Sequence, residues 1–221
     1  MYKILSYPVV ADAPAWPGNP APETEPMSLI REGASFNTYN IKLFNHFGSH
    51  MDAPRHISDQ GPSITEVPLD RFIYEKPLLL DISKSFKESV TAEDLLPYAE
   101  QIQKADLLLL RSGFSACRVT DPVRYSYEGP AVGSDACKYL VEQFPNLRGI
   151  AVDWVSLASY SNDDGKLAHT YLLCAYEHYL CIIEDIDLSG LEAGRIKRVF
   201  SVPLLVPGID SAPVTVIAEL A

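Results

Sequence analysis

The chain has no apolar run that approaches the ~18–20 residues a membrane-spanning helix requires. It also has no C-x-x-C pair. Cys117, Cys137, Cys174 and Cys181 stand apart and read as buried or semi-buried free thiols, not as disulfides or zinc ligands. Positive charge is in deficit: 18 Lys and Arg face 29 Asp and Glu, for a net charge of −11. Such a surface repels phosphate backbones and argues against a nucleic-acid partner. Internal repeats and low-complexity tracts are missing. The opening MYKILSYPVVADAP lacks signal-peptide anatomy, because Ser6, Tyr7 and Pro8 break its apolar stretch. These absences lead to an expectation of a cytoplasmic protein with neither a membrane nor a nucleic acid as partner.

With 221 residues, 47% of them hydrophobic, the chain has material for one sizeable core. The expectation is a single domain over residues 1–221 with a proline-rich N-terminal arm over about 8–26. Trp16 and the Val9–Val10 pair suggest that this arm docks on something. TYNIKLF at 38–44 alternates as a strand does, and PLLLDI at 77–82 and DLLLLRSG at 106–113 read as buried strands. Thr91 with Asp94 three residues on resembles a capping box and predicts a helix. SDACKYLVEQF predicts another, with Ser134 as its N-cap. LRGIAVD at 147–153, YLCIIEDIDL at 179–188 and IKRVFSVPLLV at 196–206 are strand-like. Strands alternating with helices indicate an α/β domain with a mixed sheet.

Three of the five histidines fall within HFGSHMDAPRH, residues 46–56. On a helix His46 and His50 would share a face, but Gly48 and Pro54 argue against a helix interior. On a strand the two would lie ~13 Å apart at ~3.3 Å per residue, too far for one ion. A turn at Gly48 followed by an extended His50-Met51-Asp52 reconciles the spacing, because glycine accepts positive φ. Two neutral imidazoles and a carboxylate are a good ligand set for Zn²⁺ or Mn²⁺; the plainer alternative is a polar surface loop.

Further ligands must come from elsewhere. Apolar residues recur at helical spacing from His169, which predicts a helix starting near it, with His178 turned to the opposite side. In a strand, Glu184 shares a face with Ile182, Ile186 and Leu188. Either a cation partners this carboxylate, or the strand is an edge and Glu184 points to water. SYSNDDGK at 159–166 is read as a flexible turn, since it lacks the EF-hand spacing.

The segment HFGSHMDAPRH resembles the signature H-x-G-T-H-x-D-x-P-x-H of the cyclase family, whose best-understood members are bacterial kynurenine formamidases. Only Thr is replaced, by Ser49, which keeps a hydroxyl. WPGNP at 16–20, LLLLRSG at 107–113, GIAVDWVS at 149–156 and HTYLL followed by IIEDIDL resemble further family elements in the same order. The resemblance implies the swivelling β/β/α cyclase-like fold, a mixed barrel-like sheet with helices outside. It implies that His46, His50 and Asp52 bind one metal. Asp52 would bridge to a second held by His169 and Glu184, with Glu177 as the substitute should the longer interval after His169 displace Glu184. It makes His56 the catalytic acid/base. It also implies two Zn²⁺ or Mn²⁺ ions per subunit and assembly as a homodimer or homotetramer.

The expected activity is metal-dependent hydrolysis of an amide C–N bond in a small molecule, as by an arylformamidase acting on N-formylkynurenine. An alternative is opening of a cyclic amide, imide or lactone, as by isatin hydrolases. A non-catalytic metal- or metabolite-binding protein is the alternative from another class, disfavoured by His56, which matches the signature but has no ligand duty. Trp16, Phe47, Trp154 and Tyr160 are candidates to line an aryl pocket, and Asp153 and Ser156 to support the ligands.

Overall fold

A computed structural model describes residues 1–221. Its strands are β1 (Tyr2–Ile4), β2 (Glu23–Ser28), β3 (Thr38–Lys42), β4 (His50–Asp52), β5 (Ile73–Tyr74), β6 (Pro77–Asp81), β7 (Ser89–Val90), β8 (Leu107–Arg111), β9 (Ala131–Val132), β10 (Gly149–Val152), β11 (Cys181–Glu184), β12 (Ile196–Pro203) and β13 (Ser211–Leu220). Its helices are α1 (Ala92–Leu95), α2 (Ala99–Ile102), α3 (Cys117–Thr120), α4 (Pro122–Tyr127), α5 (Ser134–Gln143) and α6 (Gly165–Leu173). The Thr91–Asp94 capping box is present, but α1 is short because Pro97 follows and the chain tightens into a 3-10 turn. The α5 N-cap is Gly133, one residue before the expected Ser134; it has no side chain to offer, and Asp164 Oδ2 accepts from the Ser134 N–H at 2.7 Å instead.

Nine strands form one mixed sheet in the order β5-β12-β13-β4-β11-β10-β8-β6, with β1 added on β13. The two ends of this path, β5 and β6, are separated in sequence only by Glu75 and Lys76. The sheet must therefore curl round on itself, giving the expected barrel-like form. Asp106 holds the corner by accepting from both Glu75 N–H at 2.8 Å and Lys76 N–H at 2.9 Å. Strands β6, β8, β10 and β11 run parallel, while β11–β4, β4–β13 and β13–β12 are antiparallel.

Alternation along the strands sorts side chains onto two faces. Leu107, Leu109, Ala151, Cys181, Ile183 and Met51 point into the barrel. Leu108, Leu110, Ile150, Val152 and Ile182 point outward and are covered by α5 and α6 through Ala136, Leu140, Ala168 and Leu172. This second, helix-covered face also carries His50, Asp52 and Glu184, because they alternate with Met51 and Ile183.

Two regions escaped the sequence reading. The proline-rich arm runs irregularly only as far as Glu23, where β2 begins and pairs with β3 in a hairpin off the main sheet. The last strand, β13, lies in the middle of the sheet between β12 and β4. No helix is long and apolar enough to cross a membrane. All four cysteines are free, and Cys174, expected to be at least half-buried, is exposed.

Candidate metal centre

The site begins with a local accident of geometry. Gly48 has φ +66, the left-handed conformation that glycine adopts without steric penalty. The chain reverses there and enters β4 extended, so His46 folds back on His50 with ring centroids 5.1 Å apart. The turn also leaves the Gly48 carbonyl facing His50, whose Nδ1–H donates to it at 2.8 Å. That bond commits Nε2 of His50 to the interior of the site.

Long-range pairing supplies the rest. The β4–β11 register puts Glu184 directly opposite His50, and His50 Nε2 lies 3.2 Å from Glu184 Oε2. Helix α6 crosses above, and His169 Nδ1–H donates to the Gly165 carbonyl one turn back at 2.7 Å. Its Nε2 then stands 3.7 Å from Glu184 Oε1 and 3.9 Å from Asp52 Oδ2. Glu184 Oε1 accepts from Ser156 Oγ–H at 3.0 Å and from Leu157 N–H at 2.6 Å, so Ser156 does support a site residue.

Asp52 sits at the centre, 1% exposed. Its Oδ1 lies 3.1 Å from His46 Nδ1 and 3.5 Å from His50 Nε2, yet at angles that make no hydrogen bond, and this buried oxygen has no partner. Two groups with metal-ligand spacing, His46–Asp52–His56 and His50–Asp52–Glu184, share Asp52. No arginine or lysine pairs with Asp52 or Glu184; their charged neighbours are imidazoles.

The electrostatics follow from that composition. Burial alone would lower the pKa of His46, but its hydrogen bond to Asp210 and the proximity of Asp52 outweigh burial and push it up to about 10. Burial likewise works against protonated His50 and His169, and the carboxylates of Glu184 and Asp52 again raise both. Conversely, burial would raise Glu184, but His169 and His50 hold it well below the ordinary carboxylate range. The centre therefore demands positive charge, as protons on the imidazoles or as a cation.

All six residues expected at the site, His46, His50, Asp52, His56, His169 and Glu184, are brought together. They line one cavity of about 470 Å³. The substitute Glu177 is exposed in the segment after α6 and takes no part. The helix begins at Gly165, four residues before His169, and ends at Leu173. His178 is thus off the helix altogether, and the reason given for its facing away does not hold. Glu184 ends β11, and Asp185 follows with φ +52, so the expected common face with Ile186 and Leu188 is lost; these two point into the barrel core.

Of the aromatic candidates, Trp16 and Tyr160 line the cavity, packed edge to face with centroids 5.7 Å apart. Phe47 and Trp154 do not: both are buried in the body of the protein. Phe44 and Ile57 take their places at the wall. Asp153 is turned away from the centre and accepts from Ser112 and Gly113.

One residue was missed outright. Asp210, just ahead of β13, accepts from His46 Nε2–H at 2.8 Å and from His56 Nδ1–H at 2.9 Å through the same oxygen. Its only local signal is a polar side chain between the Gly208 turn and an alternating strand.

The Cyclase family model matches residues 4–159 of this chain. The chain belongs to the Cyclase family. The matched span includes His46, His50, Asp52 and His56 and stops short of His169, Glu184 and Asp210. Among its relatives, the kynurenine formamidase of Bacillus anthracis is 27% identical over 213 residues, covering 95% of this chain and 93% of that protein. Isatin hydrolase A from Labrenzia aggregata has the same fold, with a TM-score of 0.83 at 20% identity, over 100% of this chain and 93% of that one. A predicted metal-dependent hydrolase from Bacillus stearothermophilus superposes with a TM-score of 0.77 at 23% identity, over 99% and 97% of the two chains.

Proposed function

We propose that this protein is a metal-dependent hydrolase that cleaves an amide C–N bond, with an aryl formamide such as N-formylkynurenine as substrate. The observation that carries the reading is the orphaned Oδ1 of Asp52, a buried carboxylate oxygen ringed by imidazoles. A carboxylate so buried is costly unless a cation meets it. The donor set of imidazole nitrogens and carboxylate oxygens fits Zn²⁺ or Mn²⁺. His46, His50, Asp52, His169 and Glu184 would hold it, and Asp52, whose two oxygens face His46 and His50 on one side and His169 on the other, suits a pair of ions. When bound, such an ion lowers the pKa of a coordinated water and polarises a carbonyl oxygen.

The chain's own residues do the remaining work. His50 and His169 are held in fixed orientation by the Gly48 and Gly165 carbonyls, as ligating histidines require. His56 uses Nδ1 on Asp210, which leaves Nε2 to take a proton from the attacking water and return it to the leaving nitrogen. Trp16, Phe44 and Tyr160 offer flat apolar surface to an aryl group. The same wall suits opening of a cyclic aryl amide, the activity named for the isatin hydrolases whose fold this chain shares. Purified protein, chelated and reloaded with Zn²⁺ or Mn²⁺, separates the two: turnover of N-formylkynurenine supports the first, turnover of isatin alone supports the second, and turnover of neither rejects both.

A homodimer or homotetramer is supported by the β2–β3 hairpin, which leaves Met27 at 59%, Phe36 at 67% and Ile41 at 70% exposed. Two strands alone are marginally stable in water, and a second copy of the chain would cover them. Ile41→Asp should shift the mass measured by light scattering toward the monomer; an unchanged mass would remove the hairpin from the interface. A cytoplasmic location is supported by the four free thiols.

A further inference from the structure

Asp210 stands outside the ligand set but touches two of the groups that the chemistry needs. Its place is fixed by the main chain: its carbonyl accepts from Ala53 N–H at 2.9 Å, and the next residue, Ser211, pairs with Asp52 in the β13–β4 register. Its carboxylate is divided between two tasks. Oδ2 meets His46 Nε2 at 2.8 Å and His56 Nδ1 at 2.9 Å. Oδ1 accepts from Asn45 Nδ2–H at 2.8 Å.

An ionised carboxylate only accepts hydrogen bonds, so each ring nitrogen facing Oδ2 must carry a hydrogen. For His46 this puts the hydrogen on Nε2 and frees the lone pair of Nδ1, the nitrogen 3.1 Å from the orphaned Asp52 Oδ1. For His56 it puts the hydrogen on Nδ1 and frees the lone pair of Nε2. We propose that Asp210 is a positioning residue whose single oxygen sets two tautomers at once, one for a metal ligand and one for the acid–base group. The proposal rests on the hydrolase reading only for the role of His56.

Asn45 makes the arrangement selective. In Asp210→Asn, an amide oxygen turned toward the histidines would leave the amide NH₂ facing the NH₂ of Asn45, donor against donor. Asn45 cannot turn instead without setting its own amide oxygen against the Ser211 carbonyl, to which its Nδ2 donates at 3.4 Å, so the amide at position 210 turns over, giving its oxygen to Asn45 and its NH₂ to the two rings. Both rings must then accept. His56 takes its hydrogen on Nε2 and ceases to be a base, and His46 loses the match between its hydrogen bond and its lone pair at Asp52.

The test is long-range ¹H–¹⁵N correlation of ¹⁵N-histidine-labelled, zinc-loaded protein, with zinc affinity and kcat measured alongside. Wild type should show His46 with its hydrogen on Nε2 and His56 with its hydrogen on Nδ1; the opposite tautomer at either ring overturns the proposal without any variant. D210N should move the His56 hydrogen to Nε2 and weaken zinc binding ~10–100-fold, the usual effect of losing a residue that orients a ligand. Its kcat should fall by up to ~10⁴-fold, as when a catalytic histidine is held in the wrong tautomer. Adding Asn45→Ala removes the opposing donor, so N45A/D210N should recover the wild-type tautomers and most of the zinc affinity. Unchanged tautomers and affinity in D210N, or no recovery in the double variant, would overturn the proposal. Failure of the wild type to hydrolyse any amide would reject the hydrolase reading, while the ring spectra would still decide the role of Asp210.

Discussion

Glu184 and Asp185 are adjacent carboxylates, both buried, at 3% and 1% exposure, and the protein treats them in opposite ways. Asp185 faces a chain-supplied cation. Arg118 grips it through two bonds of 3.0 Å, and Tyr125 O–H adds a third at 2.7 Å. Glu184, one residue earlier, meets only imidazoles and two neutral donors. The left-handed φ of +52 at Asp185 turns the two side chains into these separate surroundings. Asp185 pays a conformational cost there that aspartate tolerates better than most residues. The chain thus has arginine available within one residue of the site and does not use it. The histidine-ringed cluster at Glu184 is left open to a cation, whereas its neighbour Asp185 is closed by arginine as a structural ion pair.

The comparison can be broken from either side. The largest effect is expected on the Glu184 side. Glu184→Ala and Asp52→Ala should each lose tightly held zinc by elemental analysis, and with it all metal-dependent turnover, while full occupancy would remove them from the ligand set. Next, His56→Ala should keep its zinc but lose ~10²–10⁴ in kcat, the span of acid–base catalysis; loss of zinc with unchanged turnover per bound ion would contradict that role. On the Asp185 side, Arg118→Met should cost ~3–5 kcal/mol in chemical denaturation, because it strands a buried charge. Adding Asp185→Asn, which tolerates the same backbone, should recover part of this. The smallest effect sharpens the contrast. Zinc at a hundredfold excess over its Kd should stabilise the wild type by about 2.7 kcal/mol, and Glu184→Ala should show no such gain.

What could be read from the chain follows the range of the interactions involved. The segment His46–His56 was legible because its geometry is local: Gly48 makes the turn, and alternation places His50 and Asp52 on one face. The buried strands were legible from apolar runs such as Leu107–Leu110. From its own pattern Glu184 was legible only as a choice between cation and water; the family resemblance turned that choice toward the cation, and the β4–β11 register sets it opposite His50. Asp210 was not legible, because nothing near it in sequence says that β13 will lie beside β4. In the hairpin, β3 was legible from the alternation of TYNIKLF, but its partner β2 was hidden for a different reason. It contains Pro26 and no buried residue, so it gives no strand signal. The start of α6 was misplaced because Gly165 and Lys166 do not extend the apolar stripe N-terminal to His169.

The position of β13 has a consequence for the order in which the molecule is assembled. The strand bearing His50 and Asp52 is made well before both of its neighbours, β11 and β13, which lie more than 125 residues further along the chain. Until they arrive, β4 has two unpaired edges, and the imidazoles and carboxylates have no common cavity. Closing so long a loop is entropically slow. Assembly of the complete cluster is thereby deferred to a late step of synthesis, and an interrupted chain carries the histidine-rich segment without the site.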